Sequence, residues 1–441
     1  MQHSYDGYDR PGGLSWGNLM APLRHRDFAL LWGGQIGSLL GDGAFLVAMA
    51  WQVYALSNAP TALSMVGIAM TVPTITLLLL GGVVTDRFDR RRVLLAADAV
   101  RGLAVATLAI LAATGTLQLW HMFGLVALYG AGTAFFGPAF DAIVPELLPE
   151  DELAQANALD QLLRPLAFRL AGPALGGWLV AYVGAAAAFG LDACSFALSA
   201  AMVLAMRARP ARGGQAGVVA DVRAGLRFVR ANTWLWGTLA AAALAYLLFL
   251  GPVEVLLPYV VKNDLHGSAA QLGLVFAAGG VGSVGAAFAM SAYGQPRRTI
   301  TVIYVTWTLA TLAVAGYGLG RAAWQLMAAS FAFNALETAG TIVWMTLKQR
   351  EVPVAMLGRV SSLDWLISIG LLPLSFALTG PAAALVGARA TLIGAGALGA
   401  LVTVSALLLP GMLDVQRALP TAPRLPESAG PRAGRADSEA A

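Results

Sequence analysis

Long apolar runs recur along nearly the whole chain. Each approaches the roughly 20 residues a helix needs to cross the hydrocarbon core of a bilayer. Twelve can be separated, at about 28–55, 62–84, 94–114, 121–144, 157–182, 186–206, 234–260, 270–292, 300–319, 323–346, 359–385 and 390–410. Inside lipid the backbone must satisfy its own N–H and C=O groups, which leaves helices or closed barrels. Barrel strands would be about ten residues of alternating polarity, and these runs do not alternate. The expected fold is therefore an all-α polytopic membrane protein with twelve transmembrane helices. Only 12% of the 441 residues are charged, against about 25% in soluble domains, so no soluble fold could cover this apolar surface. The 50 glycines fit the same reading, because in lipid small residues let helix backbones approach closely. Trp51, Tyr54, Trp120, Tyr182, Trp234 and Tyr259 fall near predicted helix ends, where interfacial aromatic belts form.

Charge predicts the orientation. Arg24, Arg26, Arg87, Arg90, Arg91, Arg92, Arg207, Arg223, Arg227, Arg230, Arg297, Arg298, Lys348, Arg350 and Arg359 share one set of connections. Arg10, Arg209, Arg212, Arg417, Arg424, Arg432 and Arg435 belong to the same side. Lys262, Arg321 and Arg389 alone face the other. The positive-inside rule then puts both termini in the cytoplasm of a multi-pass protein of the plasma (inner) membrane. Because the positives sit between spans, they read as topology signals and grips on anionic lipid, not as a nucleic-acid surface. The apolar run after the polar first residues is too long for a signal peptide, so the first span is expected to be retained. One cysteine, Cys194, excludes an internal disulfide and a Cys-rich metal site. Neither a metal nor another cofactor is expected, and no nucleotide-binding Gly-x-x-x-x-Gly-Lys loop occurs.

The organisation follows: a cytoplasmic segment 1–26, a six-helix half 27–206, a linker 207–233, a second six-helix half 234–410 and a disordered cytoplasmic tail 411–441. Within the linker, Val218, Val222, Leu226 and Val229 line one side of a short helix. Its other side carries Arg223, Arg227 and Arg230, which suggests a helix lying on the inner membrane surface. The halves echo each other. Asn157-Ala158-Leu159-Asp160 opens span five and Ser361-Ser362-Leu363-Asp364 opens span eleven, each followed by a Gly-Pro pair, Gly172-Pro173 and Gly380-Pro381. A parallel six-plus-six repeat is one transporter architecture.

The loop after span two, Gly82-Val83-Val84-Thr85-Asp86-Arg87-Phe88-Asp89-Arg90-Arg91-Arg92-Val93-Leu94, resembles the G-x-x-x-D-R-x-G-R-R-x-x-L motif of the major facilitator superfamily. Gly82, Asp86, Arg87, Arg90, Arg91 and Leu94 match, and Asp89 replaces the second Gly. That variant, with Trp32-Gly33-Gly34-Gln35-Ile36, Gly41-Asp42 and Gly172-Pro173-Ala174-Leu175-Gly176-Gly177, looks like the branch of macrolide efflux proteins and siderophore exporters such as the enterobactin exporter. The resemblance covers roughly residues 24–410. It implies the major facilitator fold, with helices one, four, seven and ten around a central cavity. It also implies that Asp86 latches onto the start of helix eleven in the outward-open state. Two departures stand out. Leu159 and Phe168 occupy glycine positions of the helix-five antiporter motif, and Val126-Ala127-Leu128-Tyr129-Gly130 lacks the helix-four Arg of many drug/proton antiporters.

Acids inside spans are the chemical candidates, because a charge at the bilayer centre costs at least about 2.5–3.5 kcal/mol on insertion scales. Asp42 and Glu337 fall near the middle of spans one and ten; Glu254 lies in the outer part of span seven, between Pro252 and Pro258. In a partly dry cavity the neutral form of a carboxyl is favoured, so it can take a proton from one side and release it to the other. None of the four histidines lies in the interior of a span, His121 standing at the very start of span four. Arg169, midway along span five, is the natural counter-charge, with Asp42 as its suggested partner. Asp160 with Arg164, spaced i,i+4, and Asp98 with Arg101, spaced i,i+3, read as structural charge pairs. Asp141 and Asp364 lie near helix ends, and Asp192 has no evident role. The glycines at 33, 37 and 41, and Gly172 with Gly176, make flat faces for close helix contact; Gly172-Pro173 adds a kink. Trp51, Phe135, Phe136, Tyr246, Phe249, Trp344 and Trp365 are candidate cavity aromatics.

Together these features predict a monomeric secondary active transporter. It would export an amphipathic small molecule, such as a drug, antibiotic or siderophore, by rocker-switch alternating access driven by the proton motive force. The alternatives are a uniporter or lipid or metabolite transporter without proton coupling and, more distantly, a non-transporting membrane sensor. A prenyl-transferase-like enzyme would need a second Asp-rich segment besides Asp86 and Asp89, and none is present.

Overall fold

A computed structural model describes residues 20–149, 152–207, 218–293 and 296–418. Arg10, Arg209, Arg212, Arg424, Arg432 and Arg435 lie outside the described residues, as do the side chains of Val218, Val222 and Arg417.

The twelve apolar runs become helices. Spans one to four are Arg26–Leu56, Pro60–Arg87, Arg90–Ala113 and Leu119–Leu147. Span five is divided into Leu153–Pro165, a π-helical turn Leu166–Ala171, and Gly172–Tyr182. Span six is Ala185–Ala205. After the linker helix Val218–Ala231, span seven runs Thr233–Tyr259 and continues as a π turn, Val260–Asp264. Spans eight to ten are Ala269–Tyr293, Thr299–Leu319 and Ala323–Glu351; span eleven is Val354–Gly370 with Leu372–Val386; span twelve is Ala388–Ala406. Eleven of these, all but span five, are long and apolar enough by length and composition to cross a membrane. Span five is the exception because it carries Asp160, Arg164 and Arg169 together with its prolines and glycines.

Span five breaks for a local reason. Pro173 has no N–H to give the preceding turn, and the helix absorbs the loss in the π turn just before it. Such bulges are a recognised cause of kinks. Its repeat partner, span eleven, breaks at Leu371, beside Pro373, while Gly380-Pro381 runs inside a continuous helix. Counted from Asp160 and Asp364, each break therefore comes after about two turns. The shared feature of the two halves is the position of the break; Gly172-Pro173 stands at it in span five, but Gly380-Pro381 does not mark it in span eleven.

Two further points depart from the sequence reading. The segment assigned to a disordered tail begins ordered: Met412 is fully buried, Val415 is buried, and Gln416 Oε1 accepts from the Thr301 backbone N–H at 3.1 Å. The apolar side of the linker helix faces protein, with Leu226 and Val229 packing in one cluster with Val360 and Leu363 at the start of span eleven.

The halves share one core at one end only. Val53, Tyr54, Leu63 and Val66 of the first half and Val255, Leu256, Leu257 and Phe376 of the second belong to a single apolar cluster. Toward the end that carries the basic loops, this core splits. Phe28, Leu94, Phe140 and Leu159 form a cluster confined to the first half; Trp234, Ile303, Trp344 and Val360 form one confined to the second. Helix contacts repeat the pattern. Span two packs on Leu372–Val386 far more than on Val354–Gly370, and span eight packs on Gly172–Tyr182 far more than on Leu153–Pro165. The two halves are thus joined at the end opposite the basic loops and part toward the basic end.

Candidate functional site

Close backbone approach makes the joined end. A Cβ on Gly177 would stand 2.8 Å from Gly273 Cα, so span five and span eight touch through bare backbone across the two halves. The other face of the same motif meets span one: Gly172 lies against Gly43, Gly176 against Ala44, and Pro173 against Gly43. The glycine face of span one at 33, 37 and 41 instead packs on span six, against Met202, Leu198 and Ser195. Polar ties reinforce the joined end. Tyr54 Oη donates to Val255 O at 2.7 Å, Lys262 Nζ donates to Tyr54 O at 2.5 Å, and Asn58 Nδ2 donates to Asn263 Oδ1 at 2.8 Å. Lys262 also lies 5.5 Å from the Trp51 ring. Tyr54 is therefore a buried tie between halves, not a belt residue.

Arg169 sits at mid-depth, in the π turn, and its side chain is 45% exposed. Its Nη1 donates to Asn334 Oδ1 at 3.1 Å and lies 3.7 Å from Glu337 Oε2, both on span ten. The sequence reading suggested Asp42 as its partner; the structure gives it Glu337 in the opposite half. Glu337 Oε1 accepts from Thr341 Oγ1 at 3.1 Å. The same acid lines a pocket of about 370 Å³, open mouth included, walled by Tyr246, Phe249, Trp307, Phe333, Ala310 and Thr311 among others. Tyr246 and Phe249 were foreseen as cavity aromatics. Trp307 was not, because span nine enters the wall only once the helices are packed, and Phe333 of span ten was not singled out.

Asp42 finds a different partner: its Oδ1 accepts from Tyr129 Oη at 2.6 Å. Tyr129 belongs to the segment that lacks the helix-four Arg, so a phenol reaches the acid there. Glu254 is exposed, and no hydrogen bond or ion pair joins it to the described residues. Asp192 is fully buried beside Gly41. Arg101 donates from Nη2 to Asp98 Oδ1 at 2.5 Å, while Ser199 Oγ donates to Asp98 Oδ2 at 2.7 Å. Phe136 and Phe196 hold the Arg101 guanidinium between them, with ring centroids 4.0 and 4.6 Å away. Arg164 is bidentate on Asp160, at 2.9 and 3.2 Å. The repeat-related acid Asp364 pairs differently, accepting from buried Lys348 at 2.7 Å and from Trp344 Nε1 at 3.1 Å. Trp365 and Asp141 are exposed.

At the basic end, Asp89 caps span three: its carboxylate accepts from the Arg91 N–H at 2.9 Å, with φ at −57°. A side-chain cap is common at helix N-termini, and the backbone angle makes no demand for glycine. Arg90 pairs with Glu146 at 2.5 Å and donates to Ala142 O at 2.9 Å. Arg91 Nε donates to Val203 O at 2.8 Å, and Nη2 donates to Leu204 O. Both thus bind carbonyls in the last turns of spans four and six, where a cation is favourable. Asp86 is half-buried, and no ion pair or hydrogen bond joins its carboxylate to the described residues. Arg87 is exposed, and a Cβ on Gly82 would meet nothing within 4 Å. In this conformation the face that carries Gly82 and Asp86 is unengaged.

The family described as transmembrane secretion effector matches residues 18–428. The multidrug efflux pump Tap of Mycobacterium tuberculosis (strain ATCC 25618 / H37Rv) is 32% identical over 296 residues, 62% of this chain and 68% of Tap. The enterobactin exporter EntS of Citrobacter koseri is 28% identical over 353 residues, 78% and 82% of the two chains. Macrolide efflux protein A of Streptococcus pyogenes is 23% identical over 281 residues, 63% and 69%. Among solved structures, a bacterial homologue of the iron transporter ferroportin in an inward-facing state has a TM-score of 0.64 at 16% identity. It covers 87% of this chain and 98% of that one, a likeness of fold alone.

Proposed function

Because the chain belongs to the transmembrane secretion effector family of the major facilitator superfamily, and is a multi-pass membrane transporter and not an enzyme, we propose that it exports an amphipathic small molecule of the drug, antibiotic or siderophore kind. Transport is a rocker-switch movement of the two halves, driven by proton entry across the plasma membrane. The termini face the cytoplasm, so the conformation described is inward-open, closed by Tyr54, Lys262 and the glycine contacts at the outer end.

One observation carries the reading: Glu337 belongs at once to an aromatic pocket and to a charge contact with the opposite half. Whatever occupies or protonates Glu337 changes the attraction for Arg169, and with it the relative stability of the two arrangements. A ligand shifts such an equilibrium only by its differential affinity for the two states, and this carboxylate supplies a difference. The named activities of Tap, EntS and macrolide efflux protein A support the substrate class.

The test is proton movement in inside-out vesicles under an imposed pH gradient, with macrolides, tetracyclines, cationic dyes and siderophores added in turn. Substrate-induced proton release that Asp42→Asn or Glu337→Gln abolishes supports antiport. Labelled substrate crossing with no proton signal rejects it. That second outcome would favour a uniporter or a lipid or metabolite carrier, a reading to which Tyr129 in place of the helix-four Arg lends some weight.

A further inference from the structure

Span six brings an acid into the interior of the first half for which neither the pocket nor the ties between halves has a use. Asp192 is fully buried; its Oδ1 accepts from Ser195 Oγ at 3.3 Å, and its Oδ2 has no partner. It packs on span one at Gly41, where a Cβ would come within 3.0 Å of Asp192 Cα and would collide with the carboxylate. The residue after that glycine is Asp42, which is only partly buried. Gly41 thus lets spans one and six close up, with Asp192 packed against the residue that precedes Asp42.

The groups facing them are few. Asp98 and Arg101 come from span three, Tyr129 from span four and Arg164 from span five. Both cations are already engaged, Arg101 by Asp98 at 2.5 Å and Arg164 by Asp160 at 2.9 Å. Asp42 has the Tyr129 phenol and Asp192 has a serine, but neither has a cation of its own. An uncompensated carboxylate in a dry interior is strongly disfavoured, and taking up a proton removes that penalty.

We propose that Asp42 and Asp192 form a proton-binding pair in the first half, with Asp192 as the buried holder and Asp42 as its route to water. One proton passes from the Asp42 carboxyl to the Asp192 carboxylate, leaving Asp42 ionised and hydrogen-bonded to Tyr129; release reverses the step. Proton and substrate then occupy different halves, the proton at Asp42 and Asp192 and the substrate beside Glu337. Only the use of the pair in transport rests on the proton-coupled reading above; the binding itself does not.

Infrared spectra of the purified full chain in lipid nanodiscs at neutral pH test this. The expected result is a protonated-carboxyl C=O band in the wild type that Asp192→Asn removes and Asp42→Asn shifts, with Asp192→Asn melting no earlier than wild type. A spectrum in which Asp192→Asn removes no such band overturns the proposal. A sodium-dependent rise in melting temperature that Asp192→Asn abolishes also overturns it, since the site would then hold a metal cation. Should the variants not fold, a hydrophobic carbodiimide, which attacks protonated carboxyls, is mapped on the wild type by mass spectrometry. An adduct on the pair supports the site, and no adduct on either acid rejects it. Vesicle flux separates the two readings. The band lost in Asp192→Asn, with wild-type transport indifferent to pH gradient, keeps the proton site and rejects coupling. An unchanged band with substrate-induced proton release intact does the reverse.

Discussion

Arg169 of span five reaches Glu337 of span ten across the boundary between the halves, Nη1 to Oε2 at 3.7 Å. The pair is partly exposed, so its contribution to folding is about 0–1 kcal/mol. Under the proposed rocker-switch its importance lies in joining the two halves. Glu337→Gln and Arg169→Met are therefore expected to insert and melt close to wild type while substrate flux falls by about tenfold or more, as a shift of roughly 1.4 kcal/mol between states would give. Thermal melts in detergent, read beside vesicle flux, check this. A variant that melts much earlier assigns the pair to the fold; unchanged flux removes it from the mechanism.

Asp86 makes the opposite prediction about conformation. Its carboxylate has no bonded partner among the described residues while the basic end is apart, so Asp86→Asn costs this conformation nothing. The latch onto span eleven that the family motif implies would act only when the basic end closes. Asp86→Asn is expected to keep expression and insertion but to reduce transport and favour the basic-end-open form. Reactivity of a cysteine placed at exposed Arg87, in a Cys194→Ser background, reports that bias. Normal transport by a well-expressed Asp86→Asn protein removes the latch.

The joined end can be locked. An ideal Cβ on Gly380 stands 3.3 Å from Thr61 Cβ, across spans two and eleven, near the 3.5–4.5 Å of a disulfide. Thr61→Cys with Gly380→Cys, again in a Cys194→Ser background, should oxidise readily, stop transport and recover with reductant. Cross-linking that leaves transport intact would show that these two spans do not separate in the cycle.

Much of this fold was legible because its signals are local. Apolar runs gave the spans, and i,i+4 spacing gave Asp160 with Arg164, since both ends of that contact lie on one helix. The Asp89 cap needed only its own loop, yet it reads as a lost glycine until the helix start is seen. What stayed hidden depends on which helices become neighbours. Arg169 meets Glu337 because span five lies against the second half; Trp307 and Phe333 join Glu337 because spans nine and ten close one wall. Asp192 was unassignable until Gly41 set span one against it. The break in span eleven went unread: Gly380-Pro381 is the louder local signal, but Pro373 stands beside the bend.

Arg101 and Asp98 contrast with the exposed pairs. Both side chains are buried, and Ser199 and the Phe136 and Phe196 rings complete their surroundings. Removing one partner of such a pair leaves a buried charge uncompensated, which costs about 3–5 kcal/mol. Arg101→Met should therefore lower the folded yield and melting temperature sharply, whereas Arg164→Met, which breaks a half-exposed pair with Asp160, should cost no more than about 1 kcal/mol. Replacing both partners, Asp98→Asn with Arg101→Met, should recover most of the loss, because no net charge then stays buried. Size-exclusion profiles and melts of the four proteins decide the matter. If Arg101→Met folds normally yet transport fails, the pair belongs to the transport cycle and the assignment to the fold is wrong.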